Sequence, residues 1–326
     1  MREIMITENE AGQRFDKMLA KYLKEAPKSF LYKMLRKKNI VLNGKKATGN
    51  EKLKVHDSVK LFLAEETILK FSGEKLKVID SSVKLDIIYE DQDVIFLNKP
   101  AGMLSQKAKE CDVSIVEHLI SYLVESKQIT EEELVTFHPS ICNRLDRNTS
   151  GLIAAGKSLN GLQTLSRLFK ERMLEKYYLC LVEGHIADSR KISGYLVKNE
   201  KTNKVSVTRS LPDNTKQADE IHTEYRPLKA SDQATLLEVH LITGKTHQIR
   251  AHLASIGHPI VGDYKYGQKK INDRYKEAYG LTSQLLHSYR LVLPNLDESL
   301  PEISGKEYRA ELPDLFRRIA ADKGVL

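Results

Sequence analysis

The sequence predicts an α+β protein, with a small basic N-terminal part and a larger part built on a mixed, largely antiparallel sheet. Strand-sized apolar runs follow residue 85, and they are joined both directly and through helices without a regular β-α alternation. The positive charge is concentrated near the N-terminus. With 326 residues, the chain is also long enough for two ordinary domains.

The composition excludes several classes of protein. Hydrophobic residues make up 41% and charged residues 29% of the chain, as in folded globular proteins. No apolar run approaches the roughly 18 residues that a membrane helix needs, and the first residues show no signal-peptide pattern. Cys111, Cys142 and Cys180 are odd in number and widely spaced, so they predict no disulfide framework. We therefore expect a cytoplasmic protein without membrane contact.

The basic excess lies almost entirely in residues 1–75, which contain 17 Lys and Arg against 10 Asp and Glu. The formal net charge of the whole chain is +8, so the remaining residues contribute only +1. A focused basic surface is typical of proteins that bind a polyanion. The alternative is a solvated, lysine-rich helix face.

Two short helices and a hairpin are predicted within this basic segment. Apolar residues recur at helical spacing over residues 15–23, and Pro27 begins a second helix. A strand over Ile40-Val41-Leu42 then turns at Asn43-Gly44. The outer face of the second helix is basic and suits phosphate groups; it carries Lys28, Lys33, Arg36, Lys37 and Lys38.

A linker is predicted at residues 65–84, which alternate only weakly and contain Ser72-Gly73 and Ser81-Ser82. It divides the chain into an N-terminal domain over residues 1–75 and a larger domain over residues 76–326. In the larger domain, apolar runs predict strands at 87–89, 94–97, 151–155, 177–182 and 234–242, and helical patterns lie near 113–124, 159–172 and 246–256.

Two patterns suggest cofactors, and neither is convincing. Residues 151–158 match the letters of the phosphate-binding loop G-x-x-x-x-G-K-[ST], but the four intervening residues are themselves an apolar strand. His247 and His252 are five residues apart, so they do not share a helix face as a zinc-binding pair would. We expect no nucleotide, no metal and no other cofactor.

The segment from Asn143 to Gly151 is the best candidate for chemistry. It is a polar loop that leads into an apolar strand, and Asp146 stands between Arg144 and Arg147. Nearby positive charge favours the ionised form of a carboxylate, which can then act as a nucleophile or an electrostatic stabiliser. The alternative is an ordinary ion pair that ties down a loop.

Four motifs resemble, in the same order, those of the RluA family of pseudouridine synthases, and the resemblance extends over residues 85–315. They are LNKPAGM at 97–103, RLDRNTSG at 144–151, KYYLCLVEG at 176–184 and TGKTHQIRAHL at 243–253, the last continuing to Asp263. In front of them, RFD at 14–16, PKS at 27–29 and IVLNGK at 40–45 resemble the S4 RNA-binding domain. The combination is similar to the family members that act on large-subunit (23S) ribosomal RNA.

Three positions depart from these patterns. The S4 domain usually has Gly-Asp where this chain has His56-Asp57, and the family most often has His where this chain has Asn143. Arginine is common at the position of Lys245, which keeps the charge but loses bidentate geometry.

The resemblance implies a reaction in which uridine is cleaved at C1′–N1, its base is rotated, and C5 is joined to C1′, without a cofactor. Asp146 would initiate this reaction and Tyr178 would stack on the base. Arg250 would pair with Asp146, and Leu253 would line the pocket. Because the uridine must leave its stack, Arg144 would fill the space that it vacates.

The resemblance also implies RNA contacts from Asn143, from Arg14 and from the basic face of the second helix. The expected partners are ribosomal RNA and the pre-ribosomal large subunit, and a monomer is expected. Two alternatives stay open: a pseudouridine synthase that acts on transfer RNA, and a non-catalytic RNA-binding ribosome-assembly factor.

Overall fold

The structure is a computed structural model, and it describes all residues except 8, 74–77, 80–82, 200, 201, 203, 212–217 and 297–298. The strands are β1 Arg2–Met5, β2 Ile40–Leu42, β3 Lys45–Lys46, β4 Ser58–Leu61, β5 Ile87–Glu90, β6 Val94–Lys99, β7 Ser140–Ile141, β8 Ser150–Gly156, β9 Glu175–Glu183, β10 Arg190–Asn199, β11 Lys204–Thr208, β12 Ala218–Ala230, β13 Ala234–Leu241, β14 Leu286–Val292 and β15 Glu307–Arg309. The α-helices are α1 Phe15–Tyr22, α2 Lys28–Arg36, α3 Glu65–Ser72, α4 Ile115–Glu125, α5 Leu159–Lys170, α6 Gln248–Ser255, α7 Lys269–Tyr279 and α8 Asp314–Asp322. Short 3-10 helices lie at Glu133–Val135 and Pro301–Ile303.

The N-terminal part is a four-stranded antiparallel sheet, ordered β1-β4-β2-β3, with α1 and α2 packed on it. Both helices bury the apolar stripe that the sequence predicts, including Phe15 and Met18 from α1 and Leu31 and Leu35 from α2. The β2–β3 turn is tight because Asn43 and Gly44 both have positive φ, as a two-residue hairpin loop requires. The predicted helices and hairpin are therefore confirmed.

The prediction of a linker from residue 65 onward is wrong at its start. Residues 65–72 form α3, and Ile68 is fully buried in the N-terminal core. Only Ile68 and Phe71 of this segment pack against the core, while Leu69 is exposed, which is too little for a clear helical period in the sequence. The second serine pair of the predicted linker, Ser81-Ser82, lies outside the described residues.

The larger part is an 11-stranded sheet whose main path runs β11-β10-β12-β13-β9-β14-β8-β6-β5. All these neighbours are antiparallel except β14 and β8, which are parallel. This arrangement confirms the mixed, largely antiparallel sheet. The predicted strands and helices of this part are all present, with ends that shift by a few residues.

The middle of the sheet determines where the candidate site lies. Ser288 in β14 pairs on one side with Gly151 of β8 and on the other side with Tyr178 of β9. The polar loop that precedes β8 is thereby brought to the strand that carries Tyr178. Alternation along β9 directs Tyr178 into the core cluster, as predicted, whereas Tyr177 on the other face stacks against Arg290, with 3.8 Å from the guanidinium carbon to the ring centroid.

A buried hydrogen bond joins the two parts of the chain. The Thr136 hydroxyl donates to Oε1 of Glu10 at 2.5 Å, and Val135 packs against the N-terminal core. Glu10 is only 3% exposed.

Residues 151–156 of the rejected phosphate-binding pattern lie in β8, all of whose residues are buried, so this part of the pattern offers no loop to a phosphate. No helix among the described residues is long and apolar enough to cross a membrane.

We predict that Gly151→Ala destabilises the protein by about 3 kcal/mol or more. A Cβ at this position would lie 2.2 Å from the backbone oxygen of Ser288, and its φ of +112° is a conformation that alanine avoids. Gly280→Ala is the matched control, because Gly280 also has a positive φ but open space around it; we expect it to cost about 1 kcal/mol. Urea unfolding measures both. Equal losses would contradict the role of the close β8–β14 approach.

Candidate active site

Asp146 lies on a loop that is fixed to its surroundings at several backbone atoms. The Ser105 hydroxyl donates to the Leu145 oxygen at 2.8 Å and accepts from the Leu145 N–H at 3.0 Å. The Thr149 N–H donates back to the Asp146 oxygen at 3.0 Å, which closes a turn. The carboxylate of Asp146 is therefore presented from a rigid backbone.

Lys99 anchors the same loop from beneath. It is fully buried at the end of β6, and its Nζ donates to the backbone oxygens of Pro100, Met103 and Arg147 at 2.9, 2.8 and 3.1 Å. Burial lowers the pKa of this ammonium to about 8, while the charge of Asp146 opposes the shift. Lys99 thus joins the first and second motifs. Each of its three N–H donors has an acceptor, as a buried ammonium requires.

Arg250 binds Asp146, as predicted, and also binds a second carboxylate. Its Nη1 donates to Oδ2 of Asp146 at 2.8 Å, whereas its Nε and Nη2 form a bidentate pair with Asp263 at 2.7 and 2.9 Å. Burial alone would lower the pKa of Arg250, but Asp263 and then Asp146 raise it, so the guanidinium is charged. Among the described residues, no group hydrogen-bonds to Oδ1 of Asp146.

The helix that carries Arg250 begins later than predicted. His247 has φ of +54° and precedes α6, which starts at Gln248. Because a left-handed residue cannot continue a right-handed helix, His247 and Arg250 do not share a helix face. They nevertheless converge on Asp146, since His247 Nε2 lies 3.8 Å from Oδ2.

Tyr178 is buried within the same cleft, 7% exposed, near the charge of Asp146. Burial raises the pKa of its hydroxyl to about 12, with a further contribution from Asp146. The phenol is therefore neutral at physiological pH. It offers a ring face and a hydroxyl proton beside an ionised carboxylate.

These groups line one cleft of about 790 Å³. Of the described residues, its walls contain one acidic residue, Asp146, against a surplus of basic ones: Lys107, Arg144, Arg147, Lys170, Arg172, Lys176, Lys245 and Arg250. A cleft of this charge favours an anionic ligand. Among the described residues, no group of three or more His, Cys, Asp and Glu side chains is arranged to hold a metal ion.

Three residues of the Asp146 loop have other surroundings than the sequence predicted. Arg144 and Arg147 line the cleft and are exposed, but Arg250 holds Asp146. Both ends of the Asn143 amide bind β8, since Nδ2 donates to the Leu152 oxygen at 3.2 Å and Oδ1 accepts from the Ala154 N–H at 2.8 Å. Asn143 therefore supports the loop from the wall of the cleft.

Leu253 does not line the cleft. It is completely buried in the main core, and the apolar wall comes from Leu241, Ile249 and Leu286. The spacing of three residues places Leu253 on the same helix face as Arg250, but it does not show that this end of the face enters the core instead of the cleft.

The predicted basic face of α2 is present, because Lys28, Lys33, Arg36, Lys37 and Lys38 are all exposed. Arg14 differs. Its guanidinium forms a bidentate pair with Asp16, at 3.0 and 2.9 Å, and reaches Oδ1 of Asn50 at 2.6 Å. These bonds use Nε and Nη2, so Arg14 supports α1 and exposes the remaining donors of its guanidinium.

Sequence reasoning missed most of the residues that support the site. Lys99 and Asp263 lie within the family motifs, so the resemblance marked both positions, but it did not say what either residue does. Gln284, which donates to the Thr149 hydroxyl at 3.1 Å, and His287 lie outside every motif. Only the register of β14 against β8 brings them to the loop.

His287 forms a neutral, buried link between strands. Its Nε2 donates to the backbone oxygen of Ala310 at 3.1 Å, so its Nδ1 accepts from the Ser150 hydroxyl at 2.9 Å. Burial lowers the pKa of His287 to about 4. The imidazole of His287 is therefore uncharged in the folded protein near neutral pH.

Comparisons with known proteins show which proteins this chain is similar to. The sequence profile of the family described as RNA pseudouridylate synthase matches residues 93–255, which include Asp146, Tyr178 and Arg250. The ribosomal large subunit pseudouridine synthase C of Vibrio vulnificus is 34% identical over 287 residues, which are 87% of this chain and 85% of that protein. The protein of the same name from Pasteurella multocida is 31% identical over 92% of this chain and 89% of its own length.

A solved structure shows the same fold. Human RNA pseudouridylate synthase domain containing 4 superposes with a TM-score of 0.58 at 21% identity, over 72% of this chain and 92% of that one. A second human protein, RNA pseudouridylate synthase domain containing 1, gives a TM-score of 0.52 at 22% identity, over 76% and 98%.

We predict that His287 makes the protein less stable in acid. A buried histidine whose pKa falls from 6.5 to about 4 on folding binds its proton more readily in the unfolded chain. Its stabilising contribution is therefore complete above pH 6.5 and is lost as the pH falls to about 4. Over this range, the stability difference between wild type and His287→Gln should shrink by up to about 1.4 kcal/mol per pH unit. Urea unfolding across the range measures it, and a constant difference would contradict the prediction.

Proposed function

Since this chain belongs to the RNA pseudouridylate synthase family, we propose that it converts specific uridines of large-subunit ribosomal RNA to pseudouridine, with Asp146 initiating the reaction. The chain is thus an isomerase that acts on RNA. Ribosomal RNA as the target is supported by the names of its relatives, which align over most of both chains. The observation that carries the role of Asp146 is its 2.8 Å ion pair with Arg250 in a basic cleft beside Tyr178.

The reaction breaks one bond of the nucleoside and forms another. The C1′–N1 bond is cleaved, the uracil rotates while it stays in the cleft, and C5 bonds to C1′ as it loses its proton. Asp146 starts this sequence either by adding to C1′ or by promoting loss of the C2′ proton. Both routes use the carboxylate of Asp146, which Nη1 of Arg250 holds at 2.8 Å.

Tyr178 is proposed to receive the uracil. Its ring can stack on the base, and its pKa of about 12 keeps the hydroxyl protonated, so it can donate a hydrogen bond or pass a proton at C2′. The apolar side chains Leu241, Ile249 and Leu286 complete a pocket that shields the separated base from water.

The exposed Arg144 is proposed to occupy the stack that the uridine leaves. It lies two residues before Asp146 and lines the same cleft. Extrusion of a base costs a few kcal/mol, and a planar guanidinium can stack on the bases that remain. The other basic residues of the cleft would then bind the flanking phosphates.

The N-terminal part, proposed as an S4-like RNA-binding domain over residues 1–75, would supply further affinity for phosphates through the basic face of α2. His56 supports this assignment, because its φ of +71° provides the left-handed conformation for which the S4 pattern has glycine. The catalytic domain would then cover residues 76–326. All proposed site residues come from one chain, so we propose a monomer as the active unit, working in the cytoplasm.

We predict that Asp146→Asn lowers the rate of pseudouridine formation by about 10³-fold or more, because an amide can neither add to C1′ nor accept the C2′ proton. The rate is measured as tritium release from ribosomal RNA transcripts labelled with 5-³H-uridine, since C5 loses its hydrogen in the reaction. Asp232→Asn, an exposed carboxylate in the β12–β13 turn, is the matched control and should retain full activity.

The same variants identify the target in cells. Pseudouridine is mapped in total RNA from cells that lack the protein and are complemented with wild type, Asp146→Asn or Asp232→Asn. We expect cells without the protein to lose pseudouridine at specific uridines of large-subunit ribosomal RNA, and wild type and Asp232→Asn, but not Asp146→Asn, to restore it. Changes confined to transfer RNA would overturn the proposed target, and an unchanged map would leave an assembly role instead.

We predict that removing three charges from the basic face of α2, which continues past its last residue Arg36 to Lys37, weakens RNA binding in a salt-dependent way. In Lys33→Ala/Arg36→Ala/Lys37→Ala, the slope of log K against log salt should become less steep by about 2 to 3. Each phosphate contact that is lost reduces the number of counterions that the RNA releases on binding. The control removes three exposed charges from α7: Lys269→Ala/Lys270→Ala/Lys276→Ala. Titrations of a labelled RNA at several salt concentrations measure both. The same slope in both variants would exclude α2 as an RNA-binding surface.

A further inference from the structure

A chain of polar contacts runs from β11 to the carboxylate of Asp146, through two side chains without a role in the reaction proposed above. The N–H of Val205 donates to the hydroxyl of Tyr266 at 3.0 Å. The same hydroxyl lies 2.9 Å from Nδ1 of His247. On the far side of the ring, Nε2 of His247 lies 3.8 Å from Oδ2 of Asp146.

The two ends of this chain select the same tautomer of His247. If Nε2 carries the proton, it faces an anionic oxygen, and Nδ1 accepts the hydroxyl proton of Tyr266. If Nδ1 carried the proton, the lone pair of Nε2 would face the carboxylate, and the hydroxyl proton of Tyr266 would lose this acceptor. Burial also lowers the pKa of His247, which favours a neutral ring with a single N–H.

The surroundings hold the ring of Tyr266 in place. Its centroid lies 5.2 Å from the guanidinium carbon of Arg250 and 5.5 Å from Nζ of Lys204. The N–H of Tyr266 donates to Oδ1 of Asp263 at 3.2 Å. Asp263 therefore orients Arg250 and Tyr266 together, and each of them reaches toward Asp146, the second through His247.

We propose that His247 is a positioning residue for Asp146: its Nε2–H, kept in this tautomer by Tyr266, holds Oδ2 together with Arg250 and leaves Oδ1 as the reacting oxygen. The inference rests on the proposed function of Asp146. The 3.8 Å separation is long for a hydrogen bond, and contacts of this kind shorten when substrate closes the site. Among the described residues, Oδ1 has no hydrogen-bond partner, as a reacting oxygen requires.

Two substitutions of His247 separate this role from a purely structural one. In His247→Gln, the amide nitrogen takes the place of Nε2 and can donate to Asp146, but nothing replaces Nδ1. In His247→Asn, the shorter amide takes the place of Nδ1 and keeps the contact with Tyr266, but it cannot reach Asp146. Asparagine also tolerates the left-handed backbone at this position better than glutamine does.

The expected order of activity is therefore the reverse of the expected order of stability. We expect His247→Asn to lower kcat by about 10- to 100-fold with little change in KM, whereas His247→Gln retains kcat within a few-fold. Both are measured by single-turnover tritium release on the same RNA. If Asn keeps full activity and Gln loses it, the histidine only supports Tyr266 and the proposal is overturned.

Tyr266→Phe tests how the tautomer is fixed. It keeps the ring but removes the hydroxyl, and we expect about a 10-fold loss of kcat in the wild-type background. In His247→Gln there is no ring tautomer to select, so adding Tyr266→Phe should have no further effect. Equal losses in both backgrounds would show that Tyr266 acts independently of His247.

A spectroscopic measurement tests the proposal without any substrate. In protein labelled with ¹⁵N-histidine, the ring signals that vanish in His247→Gln belong to His247. We expect a protonated Nε2 and an unprotonated Nδ1, and a shift toward the other tautomer in Tyr266→Phe. A protonated Nδ1 in the wild type overturns the inference. This result is separate from the proposed catalytic function, which fails if wild type releases no tritium or if Asp146→Asn is as active as wild type.

Discussion

The buried guanidinium of Arg250 is the centre on which the rest of the site depends. It binds Asp146 through one nitrogen and Asp263 through two others. Removing one partner from a buried, hydrogen-bonded charge is strongly destabilising, so the three groups must be assembled together. That requirement brings three separate segments to one point: the loop before β8, helix α6, and the turn that follows Asp263. The turn also provides Tyr266, which reaches His247.

The sheet supplies the rigid frame for this assembly. Ser288 pairs with both Gly151 and Tyr178, so the parallel β8–β14 contact fixes the loop of Asp146 against the strand of Tyr178. The approach is so close that a side chain at Gly151 would overlap the neighbouring backbone. Lys99 then anchors the other end of the loop through three backbone oxygens. Preorganised geometry of this kind holds a reacting group within a fraction of an ångström of the position that the reaction needs.

Burial assigns different protonation states to neighbouring groups in the same cleft. It raises the pKa of Tyr178 to about 12, so the phenol keeps its proton, and it lowers the pKa of His247, so the imidazole is neutral. Arg250 stays charged because two carboxylates oppose its desolvation. The cleft thus combines an ionised acid with neutral donors, while its basic rim suits the phosphates of an RNA strand.

The sequence by itself predicted part of the elements and the candidate reacting groups. Periodicity predicted α1, α2, α4, α5 and α6 and the strands β2, β5, β6, β8, β9 and β13, and the order of motifs pointed to Asp146, Tyr178 and Arg250, because local backbone preferences and family motifs are written in consecutive residues. Tertiary structure decided how they are supported. Asn143 binds β8, Leu253 lies in the core, and His287 meets the loop only through strand register. These contacts depend on how the loop, the helices and the strands pack against one another, and no local pattern encodes them.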